Sequence, residues 1–382
     1  MKNVLAKGAI VISKDILGMM KRQVNFCTKK PVVSMLILTY RCNSRCRTCN
    51  NWKRPQEEEK KREINFDGWK FIIDELAEKG VRVVEVFGGN VLLRKDLLID
   101  VLRHLKKKGM TVHLPTNNMG LDDEMADAIV KYVDYVYISL DGLEERQNFI
   151  RGRTGAFHNV ENAVKKYMQF RGNCNVPRLI CNTTVSRYNI SQLSQIADYA
   201  EAMRFDEVHF EYVGEFTREH IEKSVIDGLI PAPYFMRGRE SSLVNPEETR
   251  VLKENLKSIK RRSKGRTIKT VNIEMLSGQD LYRGTVPVKK CYVERTEVTV
   301  DPGGNIVICP FINNYVLGNL LQTPFERIWN NEKHKRFRKF QNSGAIEMCR
   351  HCILGVERSH SMLNSFKRIY LTRIEPRLTG WA

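Results

Sequence analysis

The residues best suited to chemistry lie in one short stretch, Cys42-Asn43-Ser44-Arg45-Cys46-Arg47-Thr48-Cys49. Three thiolates spaced C-x3-C-x2-C on one loop can ligate three irons of a cubane 4Fe–4S cluster. The fourth iron then has no protein ligand and can take a substrate, as the open position of a catalytic zinc does. A zinc site is the competing reading. It wants a fourth ligand close by, and the nearest histidine is His104, far downstream.

A second set comprises Cys291, Cys309 and the pair Cys349 and Cys352. Four thiolates, two of them in C-x2-C, either close a zinc ribbon or fully ligate another iron–sulfur cluster, and spacing alone does not separate the two. A chain that already holds one cluster and handles electrons has a use for a second, which favours an auxiliary cluster. Arg295 and the basic residues around His334–Arg338 are candidates to balance its negative charge, although a solvated helix face is the simpler account of Lys333–Lys339. Cys27, Cys174 and Cys181 stand alone and are expected to pack as small hydrophobes.

These residues need a frame. From Val32 to Tyr212 short apolar runs alternate with helical patterns. Strands are expected at Val32–Thr39, Val83–Phe87, Thr111–Thr116, Tyr135–Leu140, Leu179–Val185 and Val208–Tyr212. Helices are expected at Phe66–Glu78, Asp96–Lys107, Asp122–Tyr132, Phe157–Gln169 and Ile190–Met203, with apolar residues three and four apart. Strands separated by helices imply a parallel α/β sheet with its chemistry at the C-terminal strand ends. The first cysteine loop follows the first strand, as that rule requires. Around Pro231–Pro246 the pattern breaks into Pro, Gly and Ser, and a basic helix over Glu247–Arg262 follows.

The whole chain has 382 residues, long enough for a large domain and a smaller one. Lys and Arg outnumber Asp and Glu by 63 to 44, a net charge of +19 that favours anionic partners without choosing among them. No basic block is interleaved with aromatics, so nucleic acid is a disfavoured partner. No apolar run reaches membrane-spanning length, and the N-terminus lacks a signal-peptide pattern. The expected location is therefore the cytoplasm, where clustered cysteines mean metal or catalysis.

At these residues the sequence resembles the radical S-adenosylmethionine (radical SAM) superfamily, in the branch with a C-terminal SPASM or twitch domain. Leu38-Thr39-Tyr40-Arg41-Cys42-Asn43 with Cys46 and Cys49 is similar to the family's cluster loop. Phe87-Gly88-Gly89-Asn90-Val91 resembles the segment that normally reads Gly-Gly-Glu-Pro. Thr116-Asn117, Ile138-Ser139-Leu140-Asp141-Gly142 and Arg151-Gly152 resemble further strand-end segments. Asp301–Cys309, Gly318-Asn319-Leu320 and Ile328-Trp329 resemble the SPASM/twitch core.

The resemblance implies an α/β fold: a partial (β/α)6 TIM-like barrel over 31–230, a linker and helix over 231–269, and a smaller cysteine-rich domain over 270–360. Basic segments at 1–30 and 361–382 flank them. It implies that S-adenosylmethionine chelates the open iron of a 4Fe–4S cluster on Cys42, Cys46 and Cys49. A reductant such as flavodoxin or ferredoxin supplies an electron, and a 5′-deoxyadenosyl radical then abstracts hydrogen from the substrate. Gly88 and Gly89 are expected to let the backbone approach the methionine moiety, and Asn90 to face its amino group. Thr116, Asn117, Ser139, Asp141 and Asn182 sit at strand ends where the cofactor should lie, although capping of loops is the plainer role for such residues. One auxiliary 4Fe–4S cluster, on Cys291, Cys309, Cys349 and Cys352, is implied by the four cysteines present. Asn90 replaces the family's Glu and so lacks the charge that would pair with an ammonium, which predicts tighter cofactor binding on Asn90→Glu. Thr48 stands where many members carry an aromatic.

The substrate is less legible. Met1–Val24 and Phe366–Arg377 both mix apolar and basic residues in a helical pattern suited to an anionic membrane surface at its inner face. That reading makes a lipid or lipid-linked sugar the expected substrate, with packing across the barrel as the plainer use of those helices. Maturation of a ribosomal peptide or a small-molecule precursor is the alternative, and the short region before Val32 leaves no room for a winged-helix leader-binding unit. A non-cleaving iron–sulfur electron-transfer protein is the third reading. Glu211 and Glu215, near the end of the sixth strand, are candidate bases.

Overall fold

A computed structural model describes residues 31–263, 267–286, 291 and 293–354 of the chain. The basic segment 1–30, the tail 361–382 and Cys27 lie outside these residues.

Ten strands form one sheet in the order β10-β9-β8-β1-β2-β3-β4-β5-β6-β7. They are β1 (Val33–Thr39), β2 (Val83–Gly88), β3 (Thr111–Thr116), β4 (Tyr135–Ser139), β5 (Arg178–Val185), β6 (Glu207–Tyr212), β7 (Thr267–Lys269), β8 (Glu297–Val300), β9 (Asn305–Val307) and β10 (Val316–Asn319). The six expected strands are all present within a residue or two of their expected ends. The sheet continues past them on both sides. β7, inside the expected linker, pairs parallel with β6, and β8 of the cysteine-rich region pairs parallel with β1. Sequence reading missed β7 because three residues, Thr-Ile-Lys, are too few to show a period.

The helices form where apolar spacing and caps agree. Phe66–Lys79 buries Trp69, Ile72, Ile73 and Leu76 on one stripe, and the Asn65 side chain accepts from the Gly68 N–H at its start. Each such apolar side chain contributes roughly 1.5–3 kcal/mol on burial. The basic helix spans Pro246–Arg262 and opens on a capping box between Asn245 and Glu248, with Pro246 in its first turn.

Each barrel strand has two different faces. Val84, Val86, Val112, Leu114, Val136, Ile138, Cys181, Val208 and Phe210 join the helix-facing core. The alternate residues, among them Glu85, His113, Tyr137, Asn182 and His209, stand on the opposite face and are therefore turned to the barrel interior. The apolar core is thus built around the sheet, leaving a polar lumen. Cys181 is fully buried as expected, whereas Cys174 is exposed in a turn after the helix Ala156–Arg171. Among the described residues no helix is long and apolar enough to cross a membrane.

Candidate functional site

The first cysteine loop leaves the C-terminal end of β1 and is tied down at nearly every residue. Arg41 grips Glu63 with two bonds of 2.8 Å, and Thr39 Oγ1 donates to the same carboxylate. The Cys42 N–H donates to Gln56 Oε1 at 2.9 Å. The N–H groups of Arg45 and Arg47 donate to the carbonyls of Arg151 (3.1 Å) and Ile150 (2.9 Å), and that of Asn50 to Tyr234 O (2.7 Å). The loop is therefore held by its neighbours in a fixed form, leaving Cys42, Cys46 and Cys49 half-buried.

Arg151 is the charged partner of these thiols. Its Nη1 lies 3.9 Å from Cys46 Sγ, and its Nη2 pairs with Asp141 Oδ2 at 2.7 Å. Burial pushes the Cys42 thiol up and Cys49 up to about 12, and the Arg151 charge opposes the rise in both. Buried thiols of this kind ionise when a cation takes them as ligands. Among the described residues no group of three His, Cys, Asp or Glu is arranged to hold a single metal ion. A cubane asks for a different spacing, since each thiolate binds its own iron.

The residues expected around S-adenosylmethionine divide into two kinds. Asn182 fits a ligand: it stands on the lumen face of β5, and its Oδ1 is buried with no hydrogen-bond partner. Ser139 is its cross-strand neighbour on that face. The others are engaged by the protein. Thr116 Oγ1 accepts from the Asn118 N–H (3.0 Å), while Asn117 donates to Ser44 Oγ (3.1 Å) and accepts from the Met119 N–H (3.0 Å). Asp141 accepts from the Thr184 N–H (2.8 Å) in addition to holding Arg151. Asn90 is buried, donates to Asn43 Oδ1 and Met119 O at 2.9 Å each, and accepts from the Leu92 N–H at 3.2 Å. Its amide nitrogen ties the cluster loop to the loop after β3, and its oxygen keeps one acceptor position beyond the Leu92 bond. Gly88 and Gly89 likewise serve the protein's own packing. A Cβ would meet Thr39 O at 2.4 Å in the first and Arg41 O at 2.2 Å in the second.

The second cysteine set also converges. Burial raises Cys349 and Cys352 well above the ordinary thiol value, and each also feels Cys291 and Cys309. Burial takes Cys309 up to about 11. Beside them lies an inward cluster of charge. Glu294 receives Arg295 Nε at 2.8 Å and His334 Nε2 at 2.9 Å, with Arg338 Nη1 at 3.6 Å. The helix Glu332–Ser343 is therefore split. Lys333, Lys335, Arg336 and Lys339 face solvent, but His334 and Arg338 are buried, which corrects the expectation of a purely solvated face. Of this cluster it is the Glu294 carboxylate that Cys309 and Cys349 feel, and it adds to the rise that burial causes.

Three features were missed from sequence. Tyr234, in the expected linker, lies between the two cysteine sets: burial raises its phenol, and Cys49, Cys309 and Cys352 all add to the rise. Its ring packs on Phe235 (4.6 Å), Phe311 (5.1 Å) and Phe87 (6.3 Å). The lumen carries His113, whose Nδ1 is 3.0 Å from Tyr137 Oη, and His209, whose Nε2 is 2.8 Å from Glu207 Oε2. Burial lowers both imidazoles, and they are neutral near pH 7. His209 is the cross-strand partner of Asn182. Strand alternation alone could have pointed to the lumen set, since each of these residues is polar between core positions. Of the two expected bases, Glu215 is buried and bonded to Arg237, Ser241 and Ser242. Glu211 is exposed at the upper end of β6 on the lumen face.

The Radical SAM superfamily model matches residues 36–208, and the model of SPASM, an iron–sulfur cluster-binding domain, matches residues 291–353. The Fe-coproporphyrin III synthase of Methanosarcina barkeri is 30% identical over 198 residues, 49% of this chain and 45% of that protein. The PqqA peptide cyclase of Bradyrhizobium diazoefficiens is 29% identical over 192 residues, 48% of each. The chain thus spans about half the length of these curated relatives. SuiB of Streptococcus suis, solved with its precursor peptide SuiA, superposes with a TM-score of 0.61 at 14% identity, covering 91% of this chain and 77% of that one, a likeness of fold. The cofactors of these two domains are S-adenosylmethionine and 4Fe–4S clusters. Because the open three-cysteine loop falls inside the first match and the four remaining ligand candidates inside the second, the chain belongs to the radical SAM superfamily, in its SPASM-domain branch.

Proposed function

We propose that this protein is a radical SAM enzyme that modifies a peptide. The observation that carries the reading is the cluster loop, which offers Cys42, Cys46 and Cys49 and a balancing Arg151 at the mouth of a polar lumen. When bound there, S-adenosylmethionine supplies a 5′-deoxyadenosyl radical that takes hydrogen from substrate carbon. The chain's own part is to hold the three thiolates, to place Asn182 and Ser139 beside the cofactor, and to keep the reaction in a sheltered lumen. Tyr234 and its aromatic neighbours form the wall between this site and the auxiliary cysteines, which suits one fully ligated cluster on Cys291, Cys309, Cys349 and Cys352 as an electron acceptor or donor.

A peptide is supported over a lipid. Two similar proteins carry a peptide in their descriptions, the PqqA peptide cyclase and SuiB with its precursor peptide. The lipid reading rested on the basic termini, which lie outside the described residues, and nothing else supports it. Reconstitution without oxygen, followed by dithionite and S-adenosylmethionine, tests the chemistry. Formation of 5′-deoxyadenosine with about eight irons per chain is expected for two cubanes. Iron without that product, even with a stronger reductant, would favour the non-cleaving electron carrier. A mass change in a peptide incubated with the reaction tests the substrate class.

A further inference from the structure

A pocket of about 670 Å³ opens beside Cys46 on the rim formed by the loops that follow β1, β4, β5 and β6. Arg45, Arg47, Lys53 and Arg239 line it, with Glu240 as the one carboxylate. None of the four cations pairs with a carboxylate among the described residues. Neighbouring guanidiniums behave differently: Arg41 holds Glu63, Arg54 holds Glu59 and Arg151 holds Asp141. Arg47 instead stacks on Phe149 at 3.8 Å, and Lys53 lies 5.3 Å from the Trp52 ring. Four cations left facing one cavity attract an anion, and a guanidinium fork matches a carboxylate.

We propose that this pocket binds acidic side chains of the peptide substrate, seating an Asp- or Glu-containing segment against the cluster loop while the residue to be modified reaches the lumen. The inference rests on the peptide reading above. The pocket's volume lies within the range of about 300–1,000 Å³ that holds small ligands and side chains. Its three aromatic walls, Trp52, Phe149 and Tyr188, supply apolar surface beside the cations, as a pocket for a peptide segment requires.

The test uses reconstituted holoenzyme saturated with S-adenosylmethionine and kept without oxygen. Fluorescence anisotropy compares a labelled peptide rich in Glu with the same peptide carrying Gln. The expected result is at least about tenfold tighter binding of the Glu peptide at low salt, a preference that shrinks as salt rises. Lys53→Glu with Arg239→Glu should abolish the preference, and the Gln versions of both should give an intermediate value, with iron per chain reporting that the loop is intact. Equal binding of the two peptides overturns the proposal, as does a preference that survives charge reversal. Loss of reduction by an acidic carrier protein with peptide preference intact assigns the pocket to that carrier and also overturns it. If peptides gain mass whatever their charge, the enzyme reading stands and this one fails. Selective binding of the Glu peptide without any modified peptide supports the pocket and counts against the enzyme reading.

Discussion

Asn90 spends both of its amide donors and one acceptor position on the protein. A Glu there would lose both donors and press a carboxylate towards Met119 O. The substitution expected from family pattern to strengthen cofactor binding should therefore destabilise the fold, by about 1–3 kcal/mol for lost buried bonds. Thermal denaturation of Asn90→Glu should show a lowered midpoint, and equilibrium dialysis with S-adenosylmethionine no gain in affinity. A tighter complex with an unchanged midpoint would restore the original assignment. Arg151 matters for the opposite reason. Arg151→Ala leaves Asp141 buried without its partner and strips the charge beside Cys46. A loss of roughly 3–5 kcal/mol is expected from the broken pair, together with fewer irons retained after gel filtration.

Gly152 sits where two elements meet. It follows the helix Glu144–Arg151 with φ of +59°, and a Cβ there would lie 2.2 Å from Arg45 O. That carbonyl belongs to the cluster loop, so the helix end and the loop can touch only through a glycine. Gly152→Ala should push the loop away from Arg151, costing about 1–2 kcal/mol in backbone strain alone. Iron assay and 5′-deoxyadenosine formation should fall together. A variant with full iron content would mean that the loop adapts. The short C-terminal strands act at the same level. Because β8 pairs with β1, the strand that launches the cluster loop, the cysteine-rich region is welded to the barrel through backbone bonds rather than tethered beside it.

Across the whole molecule, charge is sorted between a polar lumen and a basic rim. Glu207 shows how the lumen is balanced. Burial opposes its ionisation, but hydrogen bonds from His209 and Lys269 hold it down to about 2. His209 and His113 stay neutral because burial outweighs their acidic neighbours. Below pH about 6.5 the unfolded chain binds protons at these imidazoles that the native state refuses, so stability falls with falling pH. Glu207 adds to the loss from about pH 4.5 downward. The thermal midpoint should drop between pH 7 and pH 5, and His209→Gln should lessen that slope, with His113 and His220, both also lowered by burial, carrying the rest. A slope unchanged in the variant would place the titration elsewhere. Replacing Cys42, Cys46 and Cys49 together by Ala should remove about half the iron and all cofactor cleavage, since the other four cysteines form a separate site.

Chain order and local pattern were sufficient for the frame of this protein. Six strands, their intervening helices and both cysteine sets were legible because alternation, apolar spacing and thiol spacing are local properties. The loop after β1 was recognisable for the same reason. Which polar side chains remain available to a ligand was not a local property. Asn182 and Asn90 look alike in sequence, yet one keeps a buried oxygen without a partner and the other has both donors and its oxygen engaged, because Asn43 and Met119 come from distant segments. Tyr234 meets both cysteine sets only after the chain has returned past β6, and Arg151 acquires its role from Asp141 and Cys46 together. Desolvation and pairing depend on what the fold brings within a few ångströms, and only the tertiary structure decides that.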